Sequence, residues 1–391
     1  MATGEKPYRV YRGGRVKGRV PLERPQTRRD RNGRTPREPR VRRPPRRWSW
    51  RRRIGLTLLA LLVLLVVWAI AGYLSFRGGV AKANDRLQKT SPGIDRVLAP
   101  QSGAMISNPT TILMLGRDYA NTDARVADNH SDSIMILRTD PDHHRLAYLS
   151  IPRDLRVAIP GHGEQKVNAA MQFGGPDLVL RTLRGVTGNA LNINHVMIVD
   201  FTQFKQLIDN IGGIDITVPA PILSDKFECP FDAHRCATWK GWRFAKGRQH
   251  MNGRRALVYS RIRVNQLDPS DSDIKRGERQ QAVVNAAMHK LLGFGTFLRL
   301  PFQGKTLVSP LTTDLSAWQF VELGWVLKRA GASSTLHCRL GGTSSSYGSD
   351  IIGNEDNIAV VAMVTGQSAA QPPRPGGGPF APGCFVGNRN F

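Results

Sequence analysis

Residues 111–151 read TILMLGRDYANTDARVADNHSDSIMILRTDPDHHRLAYLSI. Three short apolar runs stand out, TILMLG (111–116), SIMILR (133–138) and RLAYLSI (145–151), each bounded by polar loops as buried strands are. Asp140-Pro141-Asp142 supplies the turn between the second and third. Polar residues gather at the ends of these runs: Asp118 after the first, His130 to Asp132 before the second, Arg153-Asp154 after the third. Strand ends in α/β sheets are where sites usually form.

Downstream, strand and helix patterns alternate. A helix is expected over 176–184, a strand over 195–199, and an amphipathic helix over 202–211 that closes on Gly212-Gly213. A strand follows over 214–218, then an irregular insert over 219–247 and a helix starting at Asn252. Further helices are expected over 274–292, 314–329 and 357–365, with an edge strand over 336–340. The pattern predicts one α/β domain with no internal repeat.

The last of the polar clusters is RIRVNQLDPSDSDIKRGERQQ, residues 261–281. With a helix starting near Asp273, Arg276, Arg279 and Gln280 fall at i, i+3 and i+4 on one face. Together with Arg261 and Arg263 they offer forked, permanently charged donors that suit phosphate oxygens. Taken alone, the stretch also reads as a solvated, salt-bridged helix face.

The formal net charge is +26 over 391 residues. Residues 1–53 carry 20 Lys and Arg against only Glu5, Glu23, Asp30 and Glu38, so most of the excess lies in an Arg/Pro/Gly-rich tail, expected to be disordered and cytoplasmic. The tail suits anionic lipid better than nucleic acid, because Arg51-Arg52-Arg53 leads directly into IGLTLLALLVLLVVWAIAGYLSF, residues 54–76. That run is long enough to span a bilayer, and its basic flank keeps the N-terminus inside. Ala69-Ile70-Ala71 resembles a signal cleavage site, but the run exceeds a signal core and the reading is an anchor. The expected layout is a tail (1–53), a transmembrane helix (54–76), a stalk (77–108), an extracytoplasmic domain (109–365) and a Pro/Gly-rich end (366–391). All four cysteines follow the membrane segment, in an oxidising setting. The expected pairs are Cys229–Cys236, closing the insert, and Cys338–Cys384, pinning the C-terminal segment.

No GxSxG, HExxH or P-loop pattern appears, which leaves serine hydrolase, zinc hydrolase and ATPase chemistry without support. Carboxylates at strand ends and arginines from elsewhere suit phosphoryl transfer with Mg²⁺. The order LGRD (115–118), HSDSIMILR (130–138), LSIPRD (149–154), KVN (166–168), GGIDI (212–216), ALVYSRIR (256–263) and DIKRGERQQ (273–281) resembles the LytR–CpsA–Psr family of envelope phosphotransferases. The resemblance covers about residues 110–292. It implies an α-β-α sandwich with a mixed central sheet, preceded by one transmembrane helix, that buries a prenyl chain. It implies transfer of an anionic or secondary cell-wall glycopolymer, of the teichoic acid or arabinogalactan kind, from a polyprenyl-pyrophosphate lipid to a peptidoglycan hydroxyl outside the membrane.

Carried over by residue, Asp118 and Asp132 are the implied metal ligands, for Mg²⁺ with Mn²⁺ as the alternative. Arg153, Arg261 and Arg263 are the implied pyrophosphate clamp, with Asp154 either orienting Arg153 or acting directly. Lys166, Arg276, Arg279 and Gln280 are implied head-group contacts. His130 stands where the family usually has arginine, a weaker and pH-dependent donor. Two other functions remain open at this point: a pyrophosphatase using water as acceptor, and a non-catalytic envelope regulator.

Overall fold

The computed structural model describes residues 8–10, 19–21, 49–117, 130–268, 273–345, 350–378 and 380–387. The chain divides into two compact units, residues 1–60 and 61–391. In the first, β1 (Tyr8–Val10) pairs antiparallel with β2 (Arg19–Pro21). Of the tail read as disordered (1–53), residues 50–53 begin the helix Trp50–Thr90, and the rest apart from these strands and Ser49 lies outside the described residues.

Helix α1 (Trp50–Thr90) is, among the described residues, the one helix long and apolar enough to cross a membrane, which fits a single-pass anchor. It does not give way to a stalk. The helix runs unbroken to Thr90, just ahead of Pro92, and Val80, Ala83 and Leu87 are buried in the domain cores. The stalk expected over 77–108 reads as helical at first, over 80–87, and this stretch is indeed helix, but it is packed into the domain. Its buried residues share one face, and that face is small.

The central sheet takes its strands from both halves of the chain. β3 (Thr110–Arg117), β4 (Ser131–Asp140) and β5 (Arg145–Ile151) form an antiparallel meander. β6 (Leu155–Ile159) and β7 (Gly163–Lys166) leave it as a separate hairpin. Helix α2 (Ala169–Val186) follows, with non-helical backbone at Gly174 and Gly175, so the helix expected from Pro176 is its second half. β8 (His195–Asp200) returns parallel to β3. Asp200 then caps α3 (Phe201–Asn210) by accepting from the Gln203 amide, while the Gln203 side chain accepts from the Asp200 amide.

β9 (Ile214–Val218) leads into the insert, which is less irregular than expected. It contains β10 (Ile222–Leu223), α4 (Ala233–Thr238) and β11 (Arg243–Phe244), and Cys229 is bonded to Cys236. β12 (Gly247–Met251) pairs with β9, and Asn252 caps α5 (Gly253–Arg261). Helices α6 (Asp273–Leu291) and α7 (Phe294–Val308) come next, then β13 (Thr312–Thr313) and α8 (Ala317–Arg329). The helix expected from Asp314 starts three residues later. Asp314 is engaged elsewhere, accepting from the Val196 amide and sitting 2.6 Å from His195 Nδ1, and Ser316 with Gln319 forms the capping box.

β14 (Thr335–Arg339), expected at an edge, is interior. It lies parallel to β5 on one side and antiparallel to the last strand on the other. Between them come β15 (Gly342–Ser344), β16 (Ile351–Gly353) and α9 (Asp356–Thr365), and then the last strand, β17 (Gly383–Val386). The Cys338–Cys384 disulfide joins directly opposed residues of β14 and β17. The C-terminal segment is therefore part of the sheet, whose order is β13-β8-β3-β4-β5-β14-β17, with β15-β16-β6-β7 as a smaller second sheet.

Alternation along the strands divides the core. Leu113, Leu115, Ile134, Ile136 and Leu149 pack against α2 and α9. Ile112, Met135, Leu137 and Tyr148 face α8. A third cluster joins α1, α3, α5, α6 and α7. The α-β-α sandwich with a mixed sheet is the architecture expected.

On β14, His337 stacks on Tyr148 at 5.6 Å and sits 2.8 Å from Gln281 Oε1 through Nδ1. Burial lowers its pKa below the ordinary 6.5. The folded protein thus holds this proton less tightly than the unfolded chain, and the stability it contributes is present above pH 6.5 and lost as pH falls below it. Urea titrations at pH 7.5 and pH 5.5 should show less stability at the lower value. The difference between the two pH values should shrink in His337→Phe.

Close packing of α1 on α7 depends on residues without side chains. A Cβ at Gly79 would lie 2.5 Å from the Lys305 carbonyl oxygen, and one at Gly304 would lie 2.8 Å from the Phe76 nitrogen. Gly79→Val should cost about 1–3 kcal/mol through overpacking, read as a lowered Tm of the full chain in detergent.

Candidate active site

An apolar cavity of about 650 Å³ lies on the α8 side of the sheet. The sheet contributes Met114, Met135 and Met197, whose flexible side chains line an adaptable wall. Opposite them are Val284, Ala287 and Met288 of α6, with α7, α8, and Tyr73 and Phe76 of α1 closing the sides. The lining turns polar where Asp132, Ser133, Asp200, Ser260, Arg261 and Gln280 meet.

A second, polar cavity of about 540 Å³ adjoins this end, lined by His130, Asp132, Arg153, Asp154, Arg156, Lys166 and Asp350 among others. Asp132 lines both. Here charges alternate along a chain of contacts. Arg153 Nη1 donates to Asp132 Oδ1 at 2.6 Å and its Nε to Asp154 Oδ2 at 3.3 Å. Lys166 Nζ donates to Asp154 Oδ1 at 2.9 Å and lies 3.4 Å from Asp350 Oδ1. Arg156 Nη1 donates to Asp350 Oδ2 at 2.9 Å. Arg156 and Lys166 are opposed across the β6–β7 ladder, a like-charge pairing that Asp350 offsets by accepting from both. The Arg156 hydrogen bond, and then that of Lys166, holds the Asp350 carboxyl below the usual carboxylate range.

The structure brings some of the expected site residues together and leaves others apart. His130, Asp132, Arg153, Asp154 and Lys166 share the polar cavity. Asp154 is buried, wedged between Arg153 and Lys166. Arg261, the last residue of α5, pairs with Glu228 and lies over the Phe201 ring at 4.2 Å, which aims its guanidinium at the junction of the cavities. Gln280 Oε1 accepts from Ser133 Oγ at 3.0 Å. Arg276 and Arg279 are buried rather than presented at the helix start, and Arg279 Nη2 donates to the Ile262 carbonyl at 2.6 Å. Arg279 thereby ties α6 to the end of α5. Arg263 is exposed beyond the end of α5 and lines neither cavity. Asp118 lies outside the described residues.

The model of the LytR_cpsA_psr family matches residues 73–362. The chain belongs to this family. Among LytR_cpsA_psr relatives, it is 32% identical over 240 residues to the polyisoprenyl-teichoic acid–peptidoglycan teichoic acid transferase TagV of Bacillus subtilis, covering 60% of this chain and 57% of that protein. The match thus spans little more than half of that relative. The crystal structure of B. subtilis TagV shares the fold with a TM-score of 0.54 and 24% identity, covering 67% of this chain and 97% of that one. TagT bound to LI-WTA gives a TM-score of 0.52 and 24% identity, covering 68% of this chain and 93% of that one.

Sequence reasoning missed Arg156, Asp350, Glu228 and Phe201. Arg156 had a usable signal, since it lies just beyond Arg153-Asp154, at the start of β6. Asp350 had none, as it arrives from almost 200 residues away. Asp350→Asn should raise the affinity of the polar cavity for methylenediphosphonate severalfold by removing a competing anion. Calorimetry on the full chain in detergent, at low and high salt, measures this; the gain should shrink at high salt.

Proposed function

We propose that this protein transfers a cell-wall glycopolymer from a polyprenyl-pyrophosphate carrier to a hydroxyl of peptidoglycan. One observation carries the reading: Asp132 forms part of the wall of both an apolar cavity suited to a prenyl chain and a charged cavity suited to its phosphates. TagV, named for moving a polyisoprenyl-linked polymer to peptidoglycan, and TagT bound to lipid-linked wall teichoic acid support it. The position of α1, with a basic flank at Arg51-Arg52-Arg53, supports an anchored protein with a cytoplasmic N-terminus and an extracellular domain.

In this reading the acceptor oxygen attacks the phosphorus that carries the glycan. A P–O bond to acceptor forms, the bridging P–O bond breaks, polyprenyl phosphate leaves, and the proton of the acceptor hydroxyl passes to the departing phosphate or to water. Arg153, held between Asp132 and Asp154, contributes fixed positive charge where negative charge develops on the leaving phosphate. Arg261 does so from the apolar side. Lys166 and His130 contact the outer phosphate and first sugar, and Gln280 and Ser133 position the junction. Arg279 acts indirectly by tying α6 to the end of α5, and Arg276 is buried beside it on the same helix.

Mg²⁺ fits the donor set. No cluster of three His, Cys, Asp or Glu that could hold a metal by themselves occurs among the described residues, and Mg²⁺ characteristically takes one or two carboxylates plus substrate phosphate oxygens. Asp132 would be one ligand and Asp118 the other. The ion, when bound, would offset phosphate charge.

Arg153→Ala should lower release of polyprenyl phosphate from a lipid-linked glycopolymer by at least about 100-fold, the scale of losing one preorganised charge donor. Thin-layer assay of the lipid product would reveal it, and unchanged turnover would refute the assignment. Release that proceeds equally without a glycan acceptor would make the protein a pyrophosphatase instead.

A further inference from the structure

Helices α7 and α8 present an apolar surface that extends beyond the cavity, with Val321 and Trp325 also lining its wall. Phe294, Leu298 and Phe302 recur every four residues along α7, and Phe294 and Phe302 are 73% and 76% exposed. Trp318, Val321 and Trp325 form a matching stripe along α8, and the two tryptophans are 60% and 55% exposed. α8 packs against the start of the α6–α7 link beside the cavity, where a Cβ at Gly324 would meet Leu292 at 2.8 Å. Single exposed apolar residues need no explanation; a rimmed aromatic patch of this size does.

The occupant follows from what α7 touches. The Trp68 ring of α1 packs edge-on against Phe302 at 5.4 Å, and a Cβ at Gly72 would lie 3.0 Å from Leu300. The Lys305 amide donates to Ser75 Oγ at 3.2 Å, and Arg86 Nη1 donates to the carbonyls of Ser309 and Leu311, closing the end of α7. A bilayer core needs about 20 helical residues. Counted from Ile54, that reaches Tyr73, so Trp68 is within hydrocarbon and Phe302 is beside it. α7 cannot then lie wholly in water.

We propose that α7 and α8 form a monotopic collar immersed in the outer leaflet of the bilayer, with the apolar cavity between them opening sideways into the acyl chains. Tryptophans at the level of the head groups, with Lys328 and Arg329 at the end of α8 and Arg329 lying 5.9 Å from the Trp325 ring centroid, match the residues that favour a lipid interface. Amphiphiles would enter the cavity without exposing their tails to water. The inference rests on α1 as a membrane span and does not require the transfer reaction.

The test uses the full chain in vesicles of phosphatidylcholine and phosphatidylglycerol. Both pairs of native cysteines are disulfide-bonded, so nitroxides can be placed singly at Phe302→Cys, Trp318→Cys and, as an aqueous control, Glu355→Cys. The first two labels should relax with dissolved oxygen in preference to a nickel chelate, at a ratio severalfold above that of Glu355→Cys. Equal ratios at all three positions would overturn the collar. So would spin–spin broadening at Phe302 with low access to both relaxants, because a second copy would then cover the surface. Because all three labelled positions are exposed, the substitutions leave the core unaltered, and the readout is independent of turnover.

Discussion

The contact between α1 and α7 is the constraint on which much else depends. Gly72, Gly79 and Gly304 let the two backbones approach more closely than any side chain would allow. Arg86 and Ser75 then add directed hydrogen bonds from α1 to the same partner. A helix long and apolar enough to cross a membrane is in this way made part of the domain core, and the wall of the apolar cavity is built partly from that helix, through Tyr73 and Phe76.

At the other end of that cavity the controlling feature is charge pairing. Arg153 is shared between two carboxylates, and Lys166 and Arg156 meet over Asp350. Partly buried charges are costly unless paired, so the pocket is nearly balanced rather than strongly positive. A phosphate ligand would exchange partners with these carboxylates instead of entering an open cationic hole. This makes the acidic residues as important to selectivity as the basic ones.

Much of this was legible in the chain before folding was considered. The strands 111–151 and their polar ends followed from local pattern, since buried strands and turn residues declare themselves over a few positions; the disulfides followed from an even cysteine number, with the close pair Cys229–Cys236 leaving Cys338 to Cys384. His130, Asp132, Arg153, Asp154 and Lys166, which share the polar cavity, are close in sequence as well as in space. α7 escaped notice. Its segment contains Gly293, Gly295, Pro301 and Gly304, which read as loop, and it is apolar on nearly every side because it contacts core, cavity and exterior at once. The burial of Arg276 and Arg279 also could not be foreseen, because spacing defines a shared face but not which way that face turns. Asp350 reaches its partners only through the tertiary fold.

The continuity of α1 also has a mechanical meaning. A domain on a flexible neck would sweep a volume of the wall and meet acceptors at many heights. Here residues 61–90 are a single rod whose upper part is packed into the core, so the charged pocket has no hinge on which to swing. Under the proposed function the pocket would act at one fixed elevation, and the acceptor strand would have to come down to it. Such an arrangement would decorate only the layer of wall laid down nearest the membrane, and older layers would be out of reach.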